Sequence, residues 1–323
     1  MRLNSKESLM IRAAELYYEK RYSQSEIARL LDCSRSTVSR LITEAVESGI
    51  VQINIRRPVE KNQSLADAIK ATFKMKEVIV VSGGNSSEQA FRNVAYAAVE
   101  FISHILHDNM IIGISWGVTL SYIVQELAEH SFEYKGIEVI QLMGGLGVGD
   151  PAIDGPELAQ KMANSLGGSY RYIQAPAVLK TPELARNIME EKYILETLKR
   201  AEQANMIISS VGSMMDNLSS MERSGYINKE DRAGYQAEGA IGHSLARLID
   251  EEGQELDNVF NRRIVGVSLD LLRKVNWSLG VGANPLKANV FLAAIKGHHF
   301  NVLVIDDGTA REILRLMDGA TIE

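Results

Sequence analysis

From about residue 64 onward the chain alternates between short apolar segments and longer amphipathic ones, and this alternation limits its possible folds more than any other feature. The apolar segments, such as "MIIGIS" at 110–115, have the length of buried strands and are far too short to cross a membrane. The longer segments carry apolar residues at helical spacing. Strands that alternate with helices favour a mainly parallel sheet covered by helices on both faces.

The limits of these segments define the predicted elements of the larger part of the chain. Predicted strands lie at 77–82, 110–115, 137–144, 170–175, 205–212, 277–282 and 300–306. Predicted helices lie at 64–73, 88–106, 117–129, 155–166, 188–203, 241–250, 286–296 and 309–317. Together they predict an α/β, Rossmann-like domain over residues 58–323.

Residues 1–57 have a different pattern, which predicts an all-α domain with three short helices. Apolar residues at helical spacing mark a first helix over 6–18. Ser23 followed by Glu26 is a capping-box pattern and starts a second helix of about eight residues. We expect the buried face of this helix to consist of Ile27, Leu30 and Leu31.

A third helix follows after a short polar break. Ser34 is placed to cap its start, and Gly49 is placed to end it in a left-handed conformation. Its inward stripe is predicted to be Val38, Leu41, Ile42 and Ala45. Residues 51–55 then alternate apolar and polar side chains before Pro58, which predicts a short wing or connector strand.

The second and third helices, with the turn between them, match the spacing of a helix-turn-helix motif, whose second helix enters the major groove of DNA. Hydroxyl groups contact phosphates or bases, and arginine pairs with guanine. The predicted DNA-binding residues are Ser34, Arg35, Ser36, Thr37, Ser39 and Arg40. The alternative is a solvated helix without a partner, although so many hydroxyls weaken an exposed helix that serves no function.

The distribution of charge fits contact with a polyanion at one end of the chain only. The 323 residues carry a net charge of −6, whereas residues 1–60 contain ten Lys and Arg against eight Asp and Glu, a net charge of +2. Phosphate contacts depend on local positive charge and not on the charge of the whole protein.

A first strand-to-helix junction of the larger domain has the composition of an anion site. In "GISWGVTL" (113–120) a buried strand leads through Gly117 into a helix that begins near Val118 and Thr119. The backbone amides at a helix start, together with the Thr119 hydroxyl, are placed to surround an anion beside the strand ends.

A second junction, "GVGANPLKA" (280–288), follows the same logic. Asn284 is placed as the N-cap and Pro285 as the first helical residue, so Lys287 lies in the first turn. A cation there opposes the helix dipole, which argues for a bound anion as its partner. A lysine that simply faces solvent is the alternative.

Few residues point to catalysis or to a metal. His243, Asp306 and Asp307 are placed to gather near the same pocket, but the six histidines form no HxH or HExxH pattern, and we predict no metal, no cofactor and no catalytic residue. A nucleophile elbow, a P-loop and the GxGxxG fingerprint are also missing.

The single cysteine, Cys33, excludes an intramolecular disulfide, and the start of the chain lacks the apolar segment of a secretory signal, so we expect a cytoplasmic protein.

Six segments in order carry a resemblance that covers essentially the whole chain. They are "AAELYYEKRYSQSEIARLLDCSRSTVSRLI" (13–42), "GISWGVTL", "IEVIQLMGG" (137–145), "SGYI" (224–227), "GAIGHSLARLIDEEG" (239–253) and "KANVFLAAIKGHHFNVLVIDDGTA" (287–310). The chain thereby resembles the SorC family of sugar-responsive bacterial transcriptional regulators. The resemblance implies a helix-turn-helix joined to an effector domain similar in fold to sugar-phosphate isomerases and deaminases, with phosphorylated sugars or related metabolites as effectors.

The resemblance also implies which residues bind the effector. Gly117, Val118 and Thr119 match the family's phosphate-binding turn, and Lys287 matches its ligand-binding lysine. The segment at 141–144 matches a strand end that lines the pocket. The implied effector site consists of Gly117, Val118, Thr119, Gln141, Met143, Gly144, His243, Ala283, Lys287 and Asp306.

Some positions depart from the family pattern. Where this chain has Met143, the deoxyribose-phosphate regulator has a lysine that forms a Schiff base, and methionine lacks the amine for such a bond. Ala283 and Asn284 replace a Gly-Gly pair. His243 stands where relatives usually carry Asp or Glu for sugar hydroxyls, and because histidine can donate and gain charge, the ligand is hypothesised to be more acidic than a simple sugar phosphate.

These patterns predict a DNA-binding transcriptional regulator of a sugar-metabolism operon, not an enzyme, controlled by a phosphosugar or similar small anion. We expect a homo-oligomer, a tetramer as in relatives, that binds double-stranded operator DNA. Two alternatives stay open. One is a sugar-phosphate isomerase or deaminase with an accessory DNA-binding module, and the other is a helix-turn-helix used only for protein contacts.

Overall fold

The computed structural model describes residues 5–51, 59–147 and 151–319. The chain divides into two compact units, an N-terminal unit, Met1–Pro58, and a C-terminal unit, Val59–Glu323. The strand predicted at 51–55 and the domain boundary predicted after residue 57 concern residues 52–58, which lie outside the described residues.

The described part of the N-terminal unit is all α-helical, as predicted. Its helices are α1 Ser5–Ala14, α2 Gln24–Leu30 and α3 Arg35–Glu47, and a π-helical segment, Glu15–Glu19, continues α1. Both predicted caps are present, since the Ser23 and Glu26 side chains form a reciprocal capping box and Ser34 caps α3. Gly49 has the expected positive φ of 78°.

The core of the N-terminal unit is small and forms between the three helices. Its buried residues are Ala13, Leu16, Ile27, Ala28, Val38, Leu41 and Ile42. The stripe predicted for α3 is confirmed, because its four members are all buried. The prediction for Leu30 is wrong, since this side chain is 60% exposed. At about 100° per residue, positions 27, 31 and 28 span about 100° of the circumference of α2, and position 30 lies about 60° outside that arc.

The C-terminal unit is built on a parallel sheet with a small antiparallel sheet beside it. The strands are β1 Glu77–Val81, β2 Ile111–Ile114, β3 Glu138–Gln141, β4 Ser169–Arg171, β5 Met206–Ser209, β6 Val211–Ser213, β7 Gly242–Ser244, β8 Arg247–Ile249, β9 Trp277–Gly282 and β10 Val302–Asp306. In the described residues, seven strands form a parallel sheet in the order β1-β10-β9-β5-β2-β3-β4, and β6-β7-β8 form the antiparallel one. The predicted α/β architecture is confirmed.

Helices connect most of the parallel strands. They are α4 Gln63–Phe73, α5 Ser87–Ile105, α6 Val118–Ala128, α7 Gly155–Ser165, α8 Pro182–Glu190, α9 Lys192–Ala201, α10 Ser220–Arg223, α11 Lys229–Ala237, α12 Asp270–Lys274, α13 Ala288–Lys296 and α14 Asp307–Gly319. The strands β2, β3, β5 and β10 are buried along their whole length, as expected for a parallel sheet with covered faces. Of the helices described, none has both the length and the apolar character needed to cross a bilayer.

The strand order reverses its direction between β2 and β5. From β2 the chain proceeds to β3 and β4 on one side, then returns to place β5, β9 and β10 on the other side. Ligands of open parallel sheets bind in the crevice at the carboxyl ends of the strands, where the order reverses. The fold therefore places a binding crevice at the ends of β2 and β5.

The helix predicted at 241–250 is wrong, because this segment forms the β7–β8 hairpin. Its turn residues Leu245 and Ala246 have φ values of 47° and 67°. Such turns normally carry Asn or Gly, and neither is present here, so the segment lacks the usual hairpin signal. The helix predicted at 188–203 is divided into α8 and α9, because Glu191 between them is extended.

Candidate functional site

The start of α3 presents hydroxyl and guanidinium groups to solvent. The Ser34 hydroxyl accepts the N–H of Thr37 at 3.1 Å and lies 2.7 Å from the Ser36 hydroxyl. Of the predicted DNA-binding residues, Thr37 is half-buried and the others are exposed: Ser34, Arg35, Ser36, Ser39 and Arg40. We call these six residues the α3 face.

The two arginines of the α3 face differ in their partners. Arg40 lies 4.0 Å from Glu44, whose carboxylate is closer to Lys6, at 2.9 Å. Arg35 has no ion-pair partner among residues 5–51. Its guanidinium is therefore available for a phosphate or a base edge.

A cavity of about 490 Å³ lies in the crevice at the ends of β2 and β5. Segments that follow β2, β3, β5 and β9 form its walls together with the β6–β8 sheet. Its polar lining consists of Ser115, Thr119, Ser210, Ser220, Arg223, Ser224, His243, Asn284 and Lys287. Among the described residues that line it there is no Asp and no Glu, so the cavity contains two strong cations without a carboxylate.

The first wall is the start of α6. Gly117 is its N-cap, with a φ of 129° that side chains with a Cβ rarely allow, and its N–H donates to the Ile153 carbonyl at 3.0 Å. No side chain caps α6. The first amides of a helix have no acceptor within the helix, so those of Val118 and Thr119 are available at the cavity for an anion.

The second wall carries Lys287. Asn284 caps the short 3-10 turn Pro285–Lys287 by accepting the N–H of Leu286 at 3.0 Å, as the predicted N-cap requires. The Lys287 ammonium donates to the Val211 carbonyl at 3.3 Å. Burial, together with the nearby charge of Arg223, lowers the pKa of Lys287 to about 8. A bound anion would reverse this shift and hold the ammonium in its charged form.

His243 lies on β7, opposite Gly212 of β6, and not at a helix start as its predicted element implied. Its Nε2 is 3.0 Å from the Ser220 hydroxyl. A Cβ on Gly212 would lie only 1.9 Å from Nε2, so the ring needs glycine at this position. Burial, then the charges of Lys287 and Arg223, lower the pKa of His243 to about 3, and the imidazole is neutral at pH 7.

The structure brings some of the predicted effector residues into this one cavity. They are Gly117, Val118, Thr119, Met143, His243 and Lys287. Gln141 and Gly144 lie outside its lining. The Gln141 side chain is buried and accepts the N–H of Ile173 at 3.0 Å, and the Gly144 N–H donates to the Val265 carbonyl at 2.9 Å.

Ala283 and Asp306 line a neighbouring cavity of about 310 Å³, together with Asp307. Asp306 accepts a hydrogen bond from the Thr309 hydroxyl, which in turn accepts the N–H of Asn284 at 3.1 Å. Burial raises the pKa of the Asp306 carboxyl. Since Asn284 lines the 490 Å³ cavity, Asp306 lies behind that wall and supports it through Thr309.

The sequence prediction missed the contribution of α10. Ser220 and Arg223 from this helix, and Ser224 directly after it, line the cavity. The guanidinium of Arg223 donates to the Asn217 carbonyl at 3.4 Å. The one available signal was the "SGYI" segment at 224–227, which begins with Ser224 and directly follows Arg223.

Comparison with known proteins identifies the family. A family model described as "Putative sugar-binding domain" matches residues 57–315, and a homeodomain-like domain matches residues 7–53. The deoxyribonucleoside regulator of Bacillus subtilis (strain 168) is 31% identical over 310 residues, which cover 96% of this chain and 98% of the relative. The full-length sorbitol operon regulator SorC from Klebsiella pneumoniae superposes with a TM-score of 0.75 at 25% identity, covering 97% of this chain and 100% of that one. The chain belongs to the SorC family of transcriptional regulators.

A second solved structure is also similar to this SorC-family chain. A DeoR family transcriptional regulator from Listeria monocytogenes has a TM-score of 0.70 at 27% identity, covering 78% of this chain and 98% of that one. Since these relatives are named as regulators, the protein is a transcriptional regulator with a DNA-binding and a sugar-binding domain. The isomerase or deaminase alternative is not supported.

Proposed function

We propose that this SorC-family regulator binds operator DNA through the α3 face, and that its affinity for the operator changes when a phosphorylated sugar or a similar small anion occupies the 490 Å³ cavity. The supporting observation is the cavity itself, in which the half-buried Lys287 and the uncapped start of α6 line a space whose described lining contains no carboxylate.

A phosphate group matches these features in charge and in hydrogen bonding. A phosphate monoester carries about −1.5 to −2 charges at pH 7 and three strong acceptor oxygens. The amides of Val118 and Thr119, the Thr119 hydroxyl and the Lys287 ammonium supply donors to such a group. Hydrogen bonds of this kind, with a charged partner, are stronger than neutral ones and gain further from burial.

Gating requires that the effector favours one arrangement of the DNA-binding units over another, since equal affinity for both arrangements shifts nothing. A helix-turn-helix usually binds two half-sites as a dimer. We therefore propose a homo-oligomer, a tetramer, that acts in the cytoplasm on the operator of a sugar-metabolism operon.

The test is operator binding by the full chain at several salt concentrations, with and without phosphosugars. The DNA is the region upstream of the protein's own gene and its neighbours, and the ligands are glucose 6-phosphate, fructose 6-phosphate, fructose 1,6-bisphosphate, 6-phosphogluconate and deoxyribose 5-phosphate. We expect the logarithm of the association constant to fall linearly with the logarithm of salt concentration. We also expect at least one ligand to shift it about tenfold, as typical couplings do. DNA binding that ignores both salt and every ligand would contradict the proposal.

A further inference from the structure

Four side chains form a continuous polar row along one wall of the cavity, from Lys287 through His243 and Ser220 to Arg223. Lys287 contacts the Val211 carbonyl of β6, and the next residue of β6, Gly212, pairs with His243. The Nε2 atom of His243 meets the Ser220 hydroxyl at 3.0 Å. Arg223 follows Ser220 by three residues on α10, so the two lie on the same face of that helix. The two cations of the cavity thus come from different elements of the fold, at the two ends of this series of contacts.

Arg223 has no carboxylate partner in the described part of the chain, although two carboxylates lie near it in sequence. Asp216 and Glu222 are both held by Arg232, at 3.1 Å and 2.9 Å. Arg223 itself makes only the long contact of 3.4 Å with the Asn217 carbonyl. Arg223 is exposed to solvent at the cavity. No described carboxylate neutralises its charge, which disfavours the charged forms of Lys287 and His243.

The described lining offers no carboxylate to the hydroxyl groups of a neutral sugar end. Ionised carboxylates accept only, which suits them to hydroxyl donors, and none of the described lining residues has one. Near Arg223 the lining is instead Leu218, Ser220 and Ser224. A guanidinium among serine hydroxyls suits an anionic group, which accepts from all of them.

We infer that the effector has two anionic groups, a phosphate at the Lys287 end of the polar row and a second phosphate or a carboxylate bound by Arg223. The inference rests on the proposed function, since it concerns the same cavity, and adds the class of ligand: a sugar bisphosphate or a phosphorylated sugar acid. The phosphate at the Lys287 end provides affinity, and Arg223 determines the specificity for the second group.

The test compares pairs of ligands in which both members carry one phosphate and one member also carries a second anionic group. Titration calorimetry of the full chain measures 6-phosphogluconate against glucose 6-phosphate, and fructose 1,6-bisphosphate against fructose 6-phosphate. We expect one doubly anionic ligand to bind at least about tenfold more tightly than its matched partner, because a charged hydrogen-bonded pair is added. Which pair shows the difference distinguishes a carboxylate from a second phosphate.

Three variants test whether Arg223 causes this difference in affinity. We expect Arg223→Gln to remove that difference, while the singly phosphorylated ligand loses less affinity than the doubly anionic one, since it makes no direct contact with Arg223 and gains only from its charge at longer range. Arg223→Lys should restore part of the difference. Arg186→Gln, which removes an exposed guanidinium from α8 outside the cavity, should change neither affinity.

The possible failures are distinguishable. If the members of both pairs bind equally well, or if Arg223→Gln weakens both members of a pair alike, the second anionic group is disproved while the proposed function stands. If none of the four ligands binds and inorganic phosphate does not raise the melting temperature of the wild-type chain, the proposed function fails and this inference fails with it.

Discussion

The α3 face and the 490 Å³ cavity, which we propose as the two sites for phosphate-bearing partners, are built in opposite ways. The α3 face comes from seven consecutive positions of one helix start, exposes most of its side chains and is held by caps within three residues. The cavity collects residues from the segments that follow β2, β3, β5 and β9 and from β6, β7 and α10, and burial strongly lowers the pKa values of Lys287 and His243.

Because the two sites differ in exposure, charges act with different strength in each. Exposed charges on the α3 face act in a medium of high dielectric constant and are screened by salt, so binding there depends on many small contributions. Inside the cavity each charge interacts more strongly and its desolvation costs more. A single substitution should therefore have a larger effect in the cavity than on the α3 face.

The largest effect is expected for Lys287→Met. Removing the ammonium should weaken phosphosugar binding about 100-fold, since a charged hydrogen bond in a partly desolvated site is lost. The free energy of unfolding should stay the same or rise, because an unneutralised buried charge is removed. Titration calorimetry and urea denaturation measure the two quantities.

The matched control is Lys296→Met, at the end of α13, the helix that directly follows the turn of Lys287. Lys296 pairs with Glu252 at 2.7 Å on the surface, and a surface ion pair contributes about 1 kcal/mol at most. Equal losses of ligand binding in the two variants would show that the cavity has no special role.

Gly212→Ala should be next in size. The added methyl would overlap His243 Nε2, so the ring must leave Ser220, and such overpacking costs about 1–3 kcal/mol. Thermal and chemical denaturation measure this loss. In Gly234→Ala, on α11, a Cβ meets no atom within 4 Å, and the change should be neutral or stabilise the helix by up to about 1 kcal/mol.

A double variant tests whether the overlap with His243 causes the loss of stability in Gly212→Ala. Combining Gly212→Ala with His243→Ala should recover part of the stability that the single variant loses. If the double variant is instead less stable than either single one, the overlap of these two residues is not the cause.

On the α3 face, Arg35→Ala should weaken operator binding about tenfold and leave stability within about 0.5 kcal/mol of the wild type. Fluorescence anisotropy at several salt concentrations measures the affinity. A weaker dependence of the association constant on salt concentration in the variant would indicate that Arg35 contacts a phosphate. Arg12→Ala, which breaks the surface pair with Glu15 at 3.2 Å on α1, serves as control. If the control loses operator affinity to the same extent, the α3 face has no special role in DNA binding.

The last effect concerns pH and separates the two sites directly. Lys287 has a pKa of about 8 in the free protein, and an anion that requires its charged form raises this pKa on binding. Binding above pH 8 is therefore coupled to proton uptake, and phosphosugar affinity should fall by up to about tenfold per pH unit there. Between pH 7 and 8 it should change little, because the second phosphate pKa is near 6.

Calorimetry at pH 7, 8, 9 and 9.5 measures this dependence. The Lys287→Met variant should lack it, and DNA binding through Arg35 should show no matching decline over the same range. A wild-type affinity that stays constant up to pH 9.5 would rule out Lys287 as the phosphate ligand.

The success of the sequence predictions follows the same division between the two sites. The Ser23 capping box, the Ser34 cap and the αL residue Gly49 were predictable because each depends on partners within a few positions. The uncapped start of α6 at the cavity was predictable in the same way, since a strand, a glycine and a helix follow each other directly.

Other parts of the cavity could not be predicted from local patterns. The β7–β8 hairpin has Leu245 and Ala246 at positive φ, and a turn of this kind is held by packing rather than by its own residue preferences. Arg223 lies in a four-residue helix and has no motif of its own. Asp306 was placed near the effector by its position after a strand, but a hydrogen bond to Thr309 holds it behind the wall.

The amino-acid sequence by itself determined the three helices of the N-terminal unit, the exposure of the α3 face and the alternation that produces the parallel sheet, because helix caps and apolar periodicity act over three or four residues. Only the tertiary structure decided which groups share the cavity. The Ser220–His243 contact spans 23 residues and the Lys287–Val211 contact spans 76. Contacts at such separations depend on how the strands are ordered and packed, which no short stretch of sequence encodes.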